Sequence, residues 1–362
     1  MSLRPEPAHR HDRASGTAVL LCNLGSPDAA TPSAVRRYLA EFLSDRRVIE
    51  IPRLLWWLIL HGVILRIRPA RSAAKYASVW LPEGSPLKVW TAKQATLLGG
   101  YLGQRGHAVS VRHAMRYGQP SIASVLDQLK QDGATRVLVL PMYPQYACAT
   151  TASTFDAVAA WAGRTRAVPE FRFVNHFHDD PAYIDALARR ANDHWMTHGR
   201  GELLVLSFHG LPARTLALGD PYHCECLKTA RLLGARLSLR PEQLKVTFQS
   251  RLGRAQWLQP YTEPTLVALA RGGLRRVDVM CPGFPADCLE TLEEIDMEAR
   301  QAFLGAGGAE FQYIACLNDQ HQGIAALADL AIRHLQGWPT NRADPAVLAT
   351  TQALALAAGA RA

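Results

Sequence analysis

The sequence predicts an α/β fold made of two similar halves, each a parallel sheet flanked by helices. Three observations support this. Short apolar runs that end in turn residues recur eight times, with amphipathic helical stretches between them, as in a doubly wound sheet. The runs form two sets of four with repeated spacing: Val109 to Val137 to Phe171 is 28 then 34 residues, and Val246 to Val277 to Phe311 is 31 then 34. The third run of each set also leaves its strand in the same way, into Pro141, Tyr143 and Pro144 in one case and Pro282, Phe284 and Pro285 in the other.

Taken in order, the first strand is AVLLCNLGSP (18–27), and Thr31 with Pro32 supplies an N-cap and first-turn proline for the helix after it. Ser85 with Pro86 opens another helix, which leads into AVSVRHAMRYG (108–118). A helix stopped by Asp132-Gly133 precedes RVLVLPMYP (136–144), and FRFVNHF (171–177) completes the first set. The second set is ELLVLSFHGLP (202–212), KVTFQSRLG (245–253), RVDVMCPGF (276–284) after a Gly272-Gly273 stop, and EFQYIACLN (310–318). The halves differ between their first two strands, where Leu20 to Val109 spans 89 residues and Leu204 to Val246 only 42. The excess marks an insertion of about residues 46–85. The expected division is a first α/β domain over 17–177 and a second over 178–338. Residues 1–16 are expected to be disordered and 339–362 to form a flexible tail.

A chain of 362 residues can bury a large core without staples. Its seven cysteines are odd in number and scattered, and its polar N-terminus has no apolar signal region, so a reduced, cytoplasmic setting is expected. The net charge of +9 is compatible with nucleic acid, an anionic membrane or an acidic ligand, and its distribution selects among them. Nine bases between Arg36 and Lys75 bracket the most apolar run, Leu54 to Leu65. Arginines around LLWWLIL suit a lipid surface rather than a duplex, with Trp56 and Trp57 as the membrane lip. The run falls short of the ~20 residues that a spanning helix needs.

Ligands of a parallel sheet bind at the carboxyl ends of its strands. Neither GxGxxG nor GxxxxGK[ST] occurs there, which argues against nucleotides. His209 follows an apolar strand and precedes Gly210, so its ring is expected above the sheet edge. After the next strand but one, ADCLETLEEIDMEAR holds Asp287, Glu290, Glu293, Glu294, Asp296 and Glu298. Glu290, Glu294 and Glu298 at i, i+4, i+8 would stack on one α-helical face. One reading is a solvated helix with Asp287-x-x-Glu290 as a capping box. The other is a cation path, since two like-charge pairs cost ~0.2–0.5 kcal/mol each and Glu298 lies too deep to benefit from the helix dipole. Imidazole with carboxylates and no thiolate suits transient handling of a divalent first-row metal.

At these residues the chain resembles the ferrochelatases, from about Val19 to Trp338. The matching pieces are LLCNLGSPD, GSPLKVWTAKQ, the RYG strand end, LPMYPQYACATT, LSFHGLP with GDPY, FQSRLGRAQWLQP and PGFPADCLETLEEIDME. The resemblance implies two Rossmann-like domains with a porphyrin between them, ferrous iron as substrate and protohaem as product. It implies His209 and Glu290 as catalytic and metal-handling residues, with Glu294 and Glu298 continuing the metal row. It places Leu24, Tyr76, Ser85, Arg116, Tyr117, Tyr143, Trp257 and Phe284 beside the porphyrin. Leu24 and Cys288 depart from residues found in some relatives. The animal enzymes' iron–sulfur cluster uses a cysteine placed like Cys148 and three in a C-terminal extension. No cysteine follows Cys316 here, so no cluster is expected. Coproporphyrin, a cobalt chelatase reaction and a non-catalytic tetrapyrrole- or solute-binding protein stand as alternatives.

Overall fold

The computed structural model describes residues 3–6, 10–251, 253 and 255–361. Strands β1 (Gly16–Gly25), β2 (Ser110–Tyr117), β3 (Ala134–Pro141) and β4 (Glu170–Phe173) form a parallel sheet in the order β2-β1-β3-β4. Strands β5 (Leu203–His209), β6 (Leu244–Gln249), β7 (Arg276–Met280) and β8 (Glu310–Ile314) repeat it as β6-β5-β7-β8. Identical strand orders in the two halves are what an internal duplication produces, and all eight expected strands are present.

The helices in chain order are α1 (Pro32–Leu43), α2 (Arg53–Ile59), α3 (Leu65–Ser78), α4 (Pro86–Gln104), α5 (Ile122–Gln131), α6 (Ser153–Ala162) and α7 (Pro181–His198). They continue with α8 (Arg214–Ala217), α9 (Tyr222–Arg236), α10 (Thr262–Arg271), α11 (Arg300–Gly305), α12 (His321–Leu335) and α13 (Pro345–Ala357). The Thr31 hydroxyl caps α1 at the Ala34 N–H as expected. Ser85 precedes α4 in an extended conformation, but its side chain makes no cap bond.

Strand periodicity builds the core. Along β1, Ala18, Leu20 and Cys22 face α5 and α6, whereas Val19 and Leu21 face the opposite way. Along β5, Leu204, Leu206 and Phe208 belong to the same buried cluster as Val19 and Leu21. Side chains from α4, α7, α9 and α12 fill the space between, so the inner faces of both sheets share one core. Gln94 of α4 donates across this joint to the carbonyls of Pro285 (3.0 Å) and Asn318 (2.9 Å).

Both chain ends carry local structure beyond what composition shows. Residues ahead of β1 are not all idle: the Arg4 N–H donates to Arg164 O (2.9 Å), and Glu6 pairs with Lys130 (2.7 Å). Beyond Trp338, Thr17 and Ala108 hold the carbonyls of Pro339 and Thr340, and the tail then forms α13, which buries no residue. Its alanine-rich composition suffices for a helix without a packing partner.

In each sheet the connections leave the central pair of strands in opposite directions. The switch points are therefore at the carboxyl ends of β1/β3 and β5/β7, where an open α/β sheet leaves a crevice. The insertion supplies α2 and α3; buried residues of α1 and α3, with Leu60 and Tyr117, form a separate apolar cluster against which Trp56 of α2 packs.

Candidate active site

His209 is the last residue of β5 and pairs in register with Gln249 of β6. The next residue has to be glycine, because a Cβ on Gly210 would lie 2.6 Å from the Gln249 carbonyl and 3.2 Å from the Trp257 ring. That close approach seats the indole of Trp257 beside the histidine. His209 Nδ1 is 2.6 Å from the Gly210 carbonyl, which can only accept, so the Nδ1 proton is committed there. Nε2 is left with its lone pair for a proton or a metal. The Tyr222 hydroxyl holds the histidine's own carbonyl at 2.9 Å.

Gln249 joins His209 to the acidic segment. Its Oε1 accepts from Ser207 (2.7 Å), and its Nε2 donates to the main-chain carbonyl of Glu290 (2.7 Å). Its neighbour Ser250, at φ 66°, donates its hydroxyl to the Glu294 carboxylate. Gln249 and Ser250, at the end of β6 and just beyond it, thus hold the Glu290 backbone and the Glu294 carboxylate. The FQS motif marked a strand end, but nothing in its residues signalled this bridging role.

The acidic segment departs from the expected geometry. Glu290–Ala299 is a ten-residue π-helix rather than an α-helix, a form that is rare at this length and often found at functional sites. With i→i+5 bonding a turn takes more than four residues, so residues four apart come close to one full turn and the row stays along one face. Glu290 and Glu294 stay in the interior and Glu298 emerges at the surface. The row is also not free of bases. Lys75 of α3 lies 2.9 Å from both Glu293 and Glu298, closing its outer end. Asp287 is not an N-cap either. Its buried carboxylate accepts from Asn318 Nδ2 (2.6 Å), Tyr313 (2.5 Å) and Thr291 (3.0 Å), which ties the start of the segment to the loop after β8.

Burial, then the negative charge of Glu290, pushes Glu294 up to about 7. The same two causes in the same order raise the Tyr76 phenol and the Cys288 thiol, which places both beside Glu290. Tyr38 of α1 is raised by burial and by the charges of Tyr76, Glu290, Tyr117 and Tyr143. It stands at the centre of the tyrosine group, with its hydroxyl on the Gly25 carbonyl at 3.2 Å. Nothing in PSAVRRYLAEFL distinguished it from a core residue.

The expected wall residues divide into two sets. Leu24 and Phe284 pack together around Leu87, Ala286 and Cys288 at the joint between the halves, with Ser85 buried just ahead of Leu87. Arg116 and Tyr117 are committed to a different task. The Arg116 guanidinium pairs with Asp45 (2.6 Å), and Tyr117 and Ser153 donate to the same carboxylate. Tyr117 is 1% exposed and lies edge-on to Phe42. This network anchors the start of the insertion. Tyr143 sits near it, its phenol raised by burial and then by Tyr117. In the lip, Trp57 is exposed, whereas Trp56 turns inward and donates its indole N–H to the Leu43 carbonyl at 2.6 Å.

Among the described residues, His209, Glu290 and Glu294 do not bring three ligand atoms within 4.8 Å of one another. His209 on one strand tip and the carboxylates of the acidic segment form an open set of donors rather than a closed coordination shell. Such an open set can pass a metal on.

Comparison with known proteins agrees with this geometry. The chain matches the Ferrochelatase family over residues 16–335. It is 70% identical to the ferrochelatase of Methylibium petroleiphilum over the whole of both chains, and 65% identical to that of Polaromonas sp. over 99% of this chain and 100% of the relative. In three dimensions it resembles SirB from Bacillus subtilis with Fe3+, at a TM-score of 0.50 and 14% identity, covering 89% of this chain and 96% of that one. That likeness supports the duplicated fold alone. The match along nearly its full length, on top of two sheets of identical strand order, shows that this chain belongs to the ferrochelatases, lyases that insert a metal into a porphyrin.

Proposed function

We propose that the chain inserts ferrous iron into protoporphyrin IX in the cleft between its halves, with His209 as proton acceptor and Glu290 as its partner carboxylate. One observation carries this assignment: His209 has a committed Nδ1, and Gln249 links it to the carbonyl of Glu290. Iron entry releases the two N–H protons of the macrocycle. His209 Nε2 takes the first, and Glu290 and Glu294 relay protons toward the surface at Glu298. Glu294 suits the relay because it exchanges protons near neutral pH. Trp257, Phe284, Leu24 and Tyr76 form walls against which a bent macrocycle is held, at a strain of ~1–5 kcal/mol offset by burial of the rest of the ring. Arg116 and Tyr117 act through Asp45, by holding the insertion in place.

The test is anaerobic incubation with Fe2+ and either protoporphyrin or coproporphyrin, following the loss of porphyrin fluorescence. Protoporphyrin is expected to react with the higher kcat/KM. A preference for coproporphyrin, or for Co2+ over Fe2+, would replace this reading.

The proposal extends to the cofactor content. The chain is expected to carry no iron–sulfur cluster: five of its seven free thiols are buried, and Cys148 accepts from Arg47 at 3.4 Å. Sulfide and iron in equal amounts in anaerobically purified protein would contradict this.

The lip is proposed to rest on the anionic cytoplasmic face of a membrane. Leu54, Leu55, Trp57, Leu58, Val63 and Ile67 are exposed beside the exposed Arg53 and Arg66, and among the described residues no helix is long and apolar enough to cross a bilayer. Trp57→Ser with Leu58→Ser is expected to lower co-sedimentation with anionic liposomes by roughly tenfold or more and to spare turnover of soluble porphyrin. Trp56→Ser instead lowers the thermal midpoint, because it removes a packed indole and its hydrogen bond. Unchanged partitioning in the double variant would reduce the exposed face to ordinary surface.

A further inference from the structure

A second group of metal-capable side chains lies outside the cleft. His176 and His178 sit in the connection between β4 and α7, and Glu225 is in the first turn of α9. One ligand atom from each comes within 4.8 Å of the other two. His176 Nδ1 is 2.7 Å from Glu225 Oε1, and His178 Nδ1 is 3.2 Å from Glu225 Oε2. The two imidazoles meet edge to face at 5.0 Å. Despite its burial, the pKa of the Glu225 carboxylate is lowered by the neighbouring His178 ring, the Tyr146 N–H and His176.

A hydrogen-bonded His-Glu-His cluster does not account for all of this. His178 is 4% exposed, yet its Nδ1 has no hydrogen-bond partner: it faces the carboxylate out of line for a proton. A buried nitrogen left without a partner is costly unless something else occupies its lone pair. A cation needs lone pairs converging on one point rather than a linear N–H···O. We propose that His176, His178 and Glu225 form a second divalent-cation site, distinct from the insertion centre and selective for a borderline first-row ion such as Zn2+.

Two imidazole nitrogens and one carboxylate oxygen are a zinc-type donor set that leaves the fourth position to water. Bonds of about 2.0–2.1 Å require the present separations to open by less than about 1 Å. The half-exposed ring of His176 supplies the entrance and Glu225 the buried floor. Occupancy braces α9 against the connection between the halves. At the first residue of the same helix, three before Glu225, Tyr222 holds the His209 carbonyl, so the bound cation steadies the end of β5. Its effect is on stability and positioning rather than on the chemical step.

The test uses the full chain, stripped with a chelator and titrated with Co2+ and then Zn2+. The wild type is expected to develop the intense d–d absorption of four-coordinate Co2+, to lose it when Zn2+ competes, and to gain several degrees in thermal midpoint with Zn2+. His176→Ala, at a half-exposed position that should not disturb folding, is expected to lose both responses while retaining its turnover of Fe2+ and porphyrin. Glu225→Gln keeps the shape and an acceptor for Tyr146 and is expected to lose them too. A wild type without these responses, a His176→Ala variant that keeps them, or a near-ultraviolet thiolate-to-cobalt band from the adjacent Cys224 would each overturn the proposal.

Discussion

His209→Ala is expected to stop metal insertion while the porphyrin still binds. The ring is only half-buried, and its hydrogen bond is to the carbonyl of the next residue. Its loss therefore leaves the sheet and the walls at Trp257, Phe284 and Leu24 in place. What disappears is the acceptor for the first pyrrole proton, and loss of a positioned base typically costs 10²–10⁴ in rate. The affinity for porphyrin, read from quenching of its fluorescence without metal, is expected to change by less than about threefold, because affinity comes from the walls. kcat is measured with Fe2+ under anaerobic conditions. A variant that keeps more than about a tenth of wild-type kcat would remove His209 from the chemistry, and a large loss of affinity with kcat retained would make it a wall residue.

Neutralising the acidic row is expected to give effects graded by depth. Glu290→Gln should nearly abolish turnover, Glu294→Gln should reduce it by a smaller factor, and Glu298→Gln should reduce it least, because Glu298 already shares Lys75 at the surface. Stability runs in the opposite sense for Glu294. Its carboxyl titrates at about 7 in the folded chain against 4.5 ordinarily. Between those values the folded chain holds more protons than the unfolded one, so stability falls as pH rises through that window and stays reduced above it. Glu294→Gln is neutral throughout and escapes this loss. Its thermal midpoint should exceed that of the wild type at about pH 8, by an amount corresponding to at most about 3 kcal/mol, and the gap should close near pH 4. Equal turnover in all three variants, with no pH-dependent gap for Glu294→Gln, would leave the row as surface charge.

Local pattern carried much of this protein. The eight strands, their duplicated spacing and the insertion follow from apolar periodicity and turn residues, because a strand buried on both faces must be apolar along its length, as Ala18 to Cys22 are. His209 and the acidic segment were legible for a related reason: both follow strand ends, and strand ends are where a parallel sheet opens. Tertiary structure decided the rest. The acidic segment reads as an α-helix from its i, i+4 spacing, and its π form depends on the anchoring of Asp287 by Thr291, Tyr313 and Asn318, the last two brought in from β8 and its exit loop. The resemblance sets Arg116 beside the porphyrin, and the fold pairs its guanidinium with Asp45, 71 residues away in sequence. Trp56 and Trp57 are indistinguishable as neighbours, and only the packing of α2 on α1 turned one inward and left the other exposed. Composition and period fix which stretches must be buried and where a sheet ends, because those depend on neighbours along the chain. Which charge meets which partner depends on residues far apart in sequence, and only the closed fold brings them within hydrogen-bond range.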